Sequence, residues 1–403
     1  MGVGALIGAY QEDEAGGLRA LLPLAGRTLL EYQVRCAAAA EAAPILVVVE
    51  RVPQALQDAL ERLRIDGVAV VAVSALDDAV SRFEAGSTIL LIGDGIAAPA
   101  SLIAELAAEP EPTIATLPDD EQHAGFERID GESRWAGVAL VDANLLASTA
   151  AMLGDWDFQS TLLRRTLQEG ARRVRVGEGG GEPLLVERAE QLETFQRNLV
   201  AASRAVRSDW ASRFITPPVE EFATERLMET AVRPGWLIWA GLILTLGAAL
   251  GFVLGWPATA LGALLVSAPL DLVAMRLASL RLRPLGGRML SRSALWPAAG
   301  LAAVGLGWRQ MAHGGGGWGA LLAAVVLLAF AQAAKIEEAA MPEGGELWLF
   351  SRRNAIFAAV PLALVGGWTL CLVALMLYAA ASFFIVQHVR HRPQVDAKLT
   401  QAG

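Results

Sequence analysis

A single acidic residue lies inside an apolar stretch of the second half of the sequence, and a run of arginines follows it. The acid is Asp271, and the basic residues after it are Arg276, Arg281, Arg283, Arg288 and Arg292. A carboxylate at mid-bilayer costs ~2.5–3.5 kcal/mol on insertion scales, and less near an interface. We therefore expect Asp271 to face the interior of a helical bundle, toward water, a cation or an arginine.

The same stretch resembles the signature of the CDP-alcohol phosphotransferases, D-x-x-D-G-x-x-A-R followed by G-x-x-x-D-x-x-x-D. In that family the four aspartates lie on two neighbouring membrane helices and hold divalent metal ions over cytidine diphosphate. The resemblance aligns Asp271 with the second aspartate, Arg276 with the arginine and Gly286 with the glycine. It implies a membrane-embedded transferase as the origin of this half of the chain.

The signature is degenerate at the residues that would bind metal. Its first aspartate, its first glycine and its last two aspartates are replaced, in that order, by Ala268, Leu272, Leu290 and Ala294. Mg²⁺ takes six oxygen ligands, and a two-metal site needs acids that bridge both ions. The stretch therefore indicates a transferase framework without its metal-binding chemistry, or else an unrelated bundle with one buried acid and a basic loop.

Composition divides the 403 residues into two unlike halves. Residues 1 to about 210 are mixed and rich in acids, whereas residues 235–390 consist of long uncharged runs. The net charge of −9 argues against a nucleic-acid partner. The two cysteines, Cys36 and Cys371, lie in different halves and imply no disulfide framework. The N-terminal stretch lacks the pattern of a signal peptide.

Short aliphatic runs alternate with helical stretches throughout residues 1–205, which predicts an α/β domain with a mostly parallel sheet. The predicted strands are Val3–Gly8, Pro44–Glu50, Val68–Val73, Thr88–Ile92, Thr113–Leu117, Gly137–Val141 and Arg173–Val176. Ligands of such sheets bind at the carboxyl ends of the strands.

The segment Leu18–Arg35 resembles the corresponding part of nucleotidyltransferases with the glycosyltransferase-A-like fold. In those enzymes a glycine-rich loop and a Pro-Lys pair precede a leucine-rich segment. Here Gly16, Gly17 and Arg19 are candidates for a nucleotide phosphate contact. The neighbouring acids would repel a triphosphate, and a solvated acidic turn is the alternative: Glu12, Asp13 and Glu14.

Asp94 follows the buried run Thr88–Ile92, where the resembled family carries a metal-binding aspartate. The resemblance implies Mg²⁺ and a cytidine nucleotide as its ligands. Asp157 is a candidate for a second metal-binding carboxylate, although it precedes a predicted helix and is equally well placed as an N-cap.

Residues 206–234 are predicted to form a linker with an amphipathic helix on the membrane surface, residues 235–390 the membrane domain, and residues 391–403 a tail. Runs near the ~20 residues that cross a bilayer predict six spans. They are Trp236–Gly255, Thr259–Leu277, Ala294–Ala312, Gly317–Ala334, Ala355–Val365 and Trp368–Gln387. Basic residues on one side predict an inner-membrane protein with both termini in the cytoplasm. The resembled family also implies a homodimer through the membrane helices.

The order of the two domains resembles bifunctional enzymes that make CDP-inositol and then use it at the membrane. Because both motifs have lost charges, the first hypothesis is a degenerate member that binds a nucleotide, a lipid headgroup or a protein partner. We expect the basic residues of its loop to bind anionic lipid: Arg281, Arg283, Arg288 and Arg292. An active transferase of polar-lipid metabolism and a transporter or structural membrane protein are the alternatives.

Overall fold

The structure is a computed structural model that describes residues 2–152, 158–176, 181–203, 209–228, 230, 232–282, 290–338 and 347–401. It contains two compact units. The first, the α/β unit, comprises Met1–Ser203 and Leu280–Arg283, and the second, the helical unit, comprises Arg204–Ser279 and Pro284–Gly403.

A seven-stranded sheet forms the centre of the α/β unit. The strands of this unit are β1 (Val3–Gly8), β2 (Pro23–Leu24), β3 (Arg27–Thr28), β4 (Ile45–Val48), β5 (Val70–Val73), β6 (Thr88–Ile92), β7 (Ile96–Ala97), β8 (Thr113–Pro118), β9 (Ser133–Asp142), β10 (Arg172–Arg175) and β11 (Leu184–Leu185). The large sheet has the order β10-β8-β9-β6-β1-β4-β5, and the short strands pair as β2 with β3 and β7 with β11.

The central strands are parallel and buried on both faces, which explains their continuous runs of aliphatic residues. Leu6 of β1 is paired with Leu46 of β4 on one side and Leu91 of β6 on the other. Among the described strands of the large sheet, only β9 runs antiparallel, between β6 and β8. The predicted α/β class with a mostly parallel sheet is therefore confirmed.

Helices cover the sheet of the α/β unit. They are α1 (Leu29–Ala39), α2 (Gln54–Ile65), α3 (Leu76–Ser81), α4 (Ala100–Ala107), α5 (Ala143–Met152), α6 (Phe158–Gln168) and α7 (Ala189–Ala202). Helix α1 begins with a capping box, in which the Thr28 side chain accepts from the Glu31 N–H and Glu31 accepts from the Thr28 N–H. Glu31 is fully buried and also accepts from Arg62 of α2, which fixes the two helices against each other.

The helical unit contains α8 (Pro217–Met228), α9 (Pro234–Leu254), α10 (Pro257–Leu280), α11 (Leu290–His313), α12 (Gly317–Glu338) and α13 (Arg352–Gln401). Its core consists of closely packed small and aliphatic residues, among them Ala248, Ala302 and Ala324. Such residues let helix backbones approach each other closely.

The prediction of six spans is wrong. In the described residues, four helices are long and apolar enough to cross a membrane: Pro234–Leu254, Pro257–Leu280, Gly317–Glu337 and Arg352–Val389. The predicted third span corresponds to α11, which is less apolar because it contains Arg309, Gln310 and His313. The predicted fifth and sixth spans belong to the single element α13.

Helix α13 reverses direction at Gly367, whose φ of 73° and ψ of 179° are not helical. Beyond the reversal the chain packs against itself. The Cys371 thiol lies 3.7 Å from the Ala359 carbonyl, and the Phe350 N–H donates to Ser382 Oγ at 2.9 Å. A straight helix would hold residues so far apart in sequence ~18 Å or more from each other. Glycine is suited to the positive φ because it has no Cβ.

Candidate functional site

A polar cleft of about 540 Å³ opens at the carboxyl ends of β1 and β6 in the α/β unit. This is the edge at which parallel sheets bind ligands. Residues from the loop after β1, the loop after β6, the loop before β9 and the segment around β11 line it. They include Tyr10, Gln11, Glu12, Arg19, Gly93, Asp94, Phe126, Glu127, Trp135, Gln159, Leu185 and Glu187.

Asp94 lies at the base of the cleft and is only 4% exposed. Its Oδ2 accepts from the backbone N–H groups of Tyr10 and Gln11, both at 2.6 Å. Its Oδ1 is buried and has no hydrogen-bond partner. Burial raises the pKa of Asp94, while the backbone N–H groups of Gln11, Tyr10 and Gly95 and the nearby Arg19 act in the opposite direction. One oxygen thus holds the loop after β1, and the other is buried without a hydrogen-bond partner.

Small residues allow the chain to come close to Asp94. A Cβ placed on Gly8, the last residue of β1, would lie 3.2 Å from Asp94 Cβ. Gly95 has a φ of +69°, and a Cβ there would lie 2.9 Å from the Val186 carbonyl oxygen. Position 95 therefore requires glycine, whereas a side chain at Gly8 would displace its neighbours by a few tenths of an ångström.

Arg19, the predicted phosphate contact, does line the cleft. Its Nε donates to the Glu12 carbonyl at 3.0 Å, and its Nη1 donates to Gln11 Oε1 at 3.0 Å. Its Nη2 lies 3.7 Å from Glu187 Oε1. These bonds direct the guanidinium along the cleft wall, where it contributes a fixed positive charge.

Gly16 and Gly17, the other predicted phosphate contacts, have their N–H groups turned toward Asp13. The Gly17 N–H donates to Asp13 Oδ1 at 2.7 Å, and the Gly16 N–H donates to the Asp13 carbonyl at 3.1 Å. Neither glycine is among the residues that line the cleft. The loop thus forms a turn around its own acid, and nucleotide binding by its glycines stays a prediction.

The cleft carries more negative than positive charge. Glu12, Asp94, Glu127 and Glu187 line it, with Arg19 as the only arginine or lysine among the described lining residues. A bare triphosphate would be repelled by this set, whereas a phosphate–Mg²⁺ complex would be less so. Mg²⁺ commonly binds through one or two carboxylates plus substrate phosphates. The unpaired Oδ1 of Asp94 fits that role.

Asp157, the second predicted metal ligand, lies outside the described residues. Within the part of the chain that the structure describes, no three His, Cys, Asp or Glu side chains are grouped so as to hold a metal ion.

Three groups of this site were not predicted from the sequence: the backbone N–H groups of Tyr10 and Gln11 and the side chain of Glu187. Tyr10 and Gln11 lie in the loop just after the carboxyl end of β1, and that position is a signal for a ligand contact in a parallel sheet. Glu187 reaches the cleft because β11 pairs with β7, and no local sequence pattern indicates that pairing.

Asp271 of α10 is engaged by two arginines at the start of α13. Arg352 Nη2 donates to its Oδ1 at 3.0 Å, and Arg353 Nη2 donates to its Oδ2 at 2.8 Å. Arg353 Nη1 also donates to Asp209 at 2.5 Å. We call these four residues, Asp209, Asp271, Arg352 and Arg353, the arginine–aspartate network.

Arg276 does not join that network. It lies on another face of α10, where its Nη1 donates to Glu220 of α8 at 3.1 Å, with side chains 1% and 5% exposed respectively. Each buried acid here is therefore matched by a guanidinium. The aligned Asp271 has both oxygens committed to arginines, so these residues do not fit a divalent metal site.

Only part of the loop with the predicted lipid-binding arginines lies within the described residues. Arg281 is buried, at 5% exposure. Arg283, Gly286 and Arg288 lie outside the described residues, and Arg292 belongs to α11. The binding of anionic lipid by this loop stays a prediction.

No protein-family model matches the sequence, and neither does any curated protein. Among solved structures, the chain is similar to one described as a glucose-1-phosphate thymidylyltransferase from Bacillus anthracis, with 11% identity and a TM-score of 0.40 over 49% of this chain and 96% of that one. It is also similar to the CTP:phosphocholine cytidylyltransferase from Streptococcus pneumoniae, with 13% identity and a TM-score of 0.37 over 49% of this chain and 100% of that one.

Proposed function

We propose that this chain is a membrane-embedded, transferase-like protein whose α/β unit binds a cytidine nucleotide together with Mg²⁺. We further propose that its helical unit performs no metal-dependent phosphotransfer. The first statement rests on Asp94, whose buried Oδ1 is unpaired at the base of a polar cleft. A buried acceptor without a partner is uncommon, and a ligand cation is one way to satisfy it.

The dimensions of the cleft support a nucleotide-sized ligand. Its volume of about 540 Å³ lies within the range of small-molecule sites. Phe126 and Trp135 provide apolar surface on one wall, while Asp94 and Arg19 provide charge. A ligand with a planar base and a phosphate chain has both chemistries. The nucleotide class itself comes from the resemblance of Leu18–Arg35 to nucleotidyltransferases.

In this proposal the polar groups of the cleft have distinct roles. Asp94 Oδ1 holds the cation that accompanies the phosphates, and Mg²⁺ supplies the charge that offsets the surrounding carboxylates. Asp94 Oδ2 keeps the N–H groups of Tyr10 and Gln11 at the strand end. Arg19 faces the phosphate chain. Its contacts with Gln11, Glu12 and Glu187 hold the guanidinium in one position, so that it orients the phosphates.

The inactivity proposed for the helical unit rests on Asp271. Metal-dependent transfer from a CDP-linked donor needs several carboxylates around one pyrophosphate. Here the single aligned aspartate is bound to Arg352 and Arg353. The full-length protein should therefore release no CMP from CDP-linked donors in the presence of Mg²⁺, and measurable release would refute this part of the proposal.

An active nucleotidyltransferase is the second candidate, and the same unpaired Asp94 oxygen favours it. Cation binding at this position would serve catalysis as well as simple binding. The two candidates differ in one product, because nucleotidyl transfer releases pyrophosphate whereas binding alone does not.

Calorimetry on the full chain in lipid nanodiscs tests the nucleotide site. We expect CTP to bind with Mg²⁺ and at least tenfold more weakly with EDTA. Asp94→Asn should lose most of that dependence on Mg²⁺. Asp78→Asn is the matched control, because Asp78 lies on α3 and forms an exposed pair with Arg82 away from the cleft.

The outcomes separate the candidates. Mg²⁺-dependent binding without pyrophosphate release on adding phosphorylated alcohols supports the nucleotide-binding proposal. Pyrophosphate release that Asp94→Asn abolishes supports the active enzyme. An absence of CTP binding by the wild-type protein contradicts both.

We also propose that the protein resides in the inner membrane with both termini in the cytoplasm. The four apolar helices support the membrane assignment, and the clustering of basic residues supports the orientation. Epitope tags at the two ends should both be digested in inverted vesicles and both be protected in right-side-out vesicles. Digestion of either tag in right-side-out vesicles would contradict the orientation.

A further inference from the structure

An apolar cavity of about 100 Å³ lies among α9 to α13 of the helical unit. Its walls include Trp296 and Ala303 of α11, Leu327 of α12, and Ile356 and Leu375 of α13. Arg352 is the only charged residue among the described lining residues, and none of these has a hydroxyl, amide or carboxylate side chain. The cavity therefore combines hydrocarbon walls with one strongly polar end.

Arg352 has a hydrogen-bonding group left over at this end. Its side chain is 9% exposed, and its Nη2 is bonded to Asp271. Its Nη1 is buried and has no hydrogen-bond partner. A buried donor without an acceptor costs about 1–3 kcal/mol, and more for a charged group, so this atom marks a place for a ligand oxygen.

The charge of the neighbourhood indicates what kind of oxygen fits. In the arginine–aspartate network two carboxylates balance two guanidinium groups. A further anion would leave the buried network with excess negative charge, which is costly at low dielectric. The missing partner is therefore better supplied by a neutral acceptor than by a counter-ion.

Water is a poor candidate for that acceptor. A buried water usually makes two to four hydrogen bonds, and apolar cavities stay dry. The donors of the described lining are the indole N–H groups of Trp296, which is bonded to Gln332, and of Trp368, together with the unpartnered Arg352 Nη1; the other lining side chains are apolar. An acceptor that carries its own hydrocarbon would fill the cavity and satisfy the donor at once.

We propose that this cavity binds the ester end of an acyl chain from a membrane glycerolipid. The ester carbonyl oxygen accepts from Arg352 Nη1, and the first methylenes of the chain occupy the apolar space. The helices around the cavity include all four that are able to cross a membrane, so its occupant can come from the surrounding bilayer. This site is separate from the nucleotide cleft and goes beyond the function proposed above.

Competition between two lipids that differ only at the carbonyl tests this directly. The purified full chain is mixed in detergent with equal amounts of ester-linked and ether-linked phosphatidylcholine of the same chain length, and bound lipid is counted by native mass spectrometry. We expect about tenfold more ester-linked than ether-linked adduct, because the ether lacks the carbonyl that accepts from a charged donor. A second sample contains a free fatty acid in place of the ester-linked lipid.

Two variants locate the site. Ala303→Leu fills part of the cavity and should reduce adduct formation for both lipids, with the fold kept intact. Arg352→Met removes the donor and should abolish the ester preference while an apolar ligand still fits. Leu301→Phe is the matched control on α11, because Leu301 is exposed and does not line the cavity.

The results decide the matter in either direction. Equal binding of ester and ether lipids by the wild-type protein overturns the proposal, and so does an unchanged adduct count in Ala303→Leu. Stronger binding of the free fatty acid than of the ester would show a counter-ion site and overturn the assignment of a neutral acceptor. If Arg352→Met does not fold, the ester-to-ether ratio and the Ala303→Leu variant still decide.

Discussion

Replacing Asp271 by asparagine should destabilise the helical unit strongly, although the two side chains have nearly the same shape. The wild-type carboxylate accepts from Arg352 at 3.0 Å and from Arg353 at 2.8 Å, with all three side chains mostly buried. In Asp271→Asn, Arg353 keeps Asp209, but Arg352 loses its carboxylate partner. Breaking a buried ion pair on one side costs about 3–5 kcal/mol, since a charge is left uncompensated.

A double variant separates the loss of charge balance from the loss of packing. Asp271→Asn combined with Arg352→Gln removes both members of one pair and leaves Arg353 with Asp209. We expect it to recover more than half of the free energy lost in the single variant, because no buried charge is then unmatched.

Reversible unfolding in mixed detergent–SDS micelles provides the assay. Glu225→Gln on α8 is the control, because Glu225 is exposed and its replacement should change the free energy of unfolding by less than about 0.5 kcal/mol. Equal stability of Asp271→Asn and wild type would contradict this prediction. Stabilisation by Mg²⁺ of the wild-type protein but not of the variant would also contradict it, because Asp271 would then act as a metal ligand.

Three further predictions concern the α/β unit. Burial raises the pKa of Asp94, so Mg²⁺-dependent CTP affinity should fall as the pH is lowered through that raised value, above the usual 3.8, and Asp94→Asn should remove this pH dependence in calorimetry. The free energy of unfolding should change in the opposite direction and increase as the pH is lowered. Protonation of Asp94 removes the cost of burying its charge and so favours the folded state. Cys36 is buried with a pKa raised to about 12, so maleimide should label it only after denaturation, and rapid labelling of the native protein would contradict its placement. Gly137 has a φ of +80°, and a Cβ there would lie 2.4 Å from Ile96, so Gly137→Ala should destabilise the unit by about 1–3 kcal/mol in pulse proteolysis, whereas exposed Gly131→Ala should change little.

The strands of the α/β unit were predictable because burial on both faces leaves a strong local signal. The predicted Thr88–Ile92 has the bounds of β6, and Val3–Gly8 those of β1. Helix α3 and the pairing of β7 with β11 were not predicted. Both are short, and long-range packing rather than local pattern stabilises them.

The candidate sites were only partly predictable. The position of Asp94 after a buried strand indicated a cleft residue, and the cleft is where the sheet rule places it. By contrast, Arg352 and Arg353, the partners of Asp271, lie 81 and 82 residues after it in the sequence. Hydrophobic periodicity is a local signal and does not predict contacts between residues so far apart.

The predicted boundary between Val365 and Trp368 does contain the reversal at Gly367, but both arms belong to the one element α13. The predicted third span corresponds to α11, whose polar residues lower its apolarity, so the number of spans was overestimated.

The reversal at Gly367 limits how deep one arm of α13 can reach. The arm from Arg352 to Gly366 spans ~22 Å at 1.5 Å per residue, whereas the hydrocarbon layer is ~30 Å thick. The exposed side chains beside the bend, Leu364 and Val365, are apolar and suited to contact with lipid tails. A hairpin with so short an arm favours local thinning of the bilayer. Headgroups of the leaflet nearest the bend would then be drawn inward, toward Leu364 and Val365.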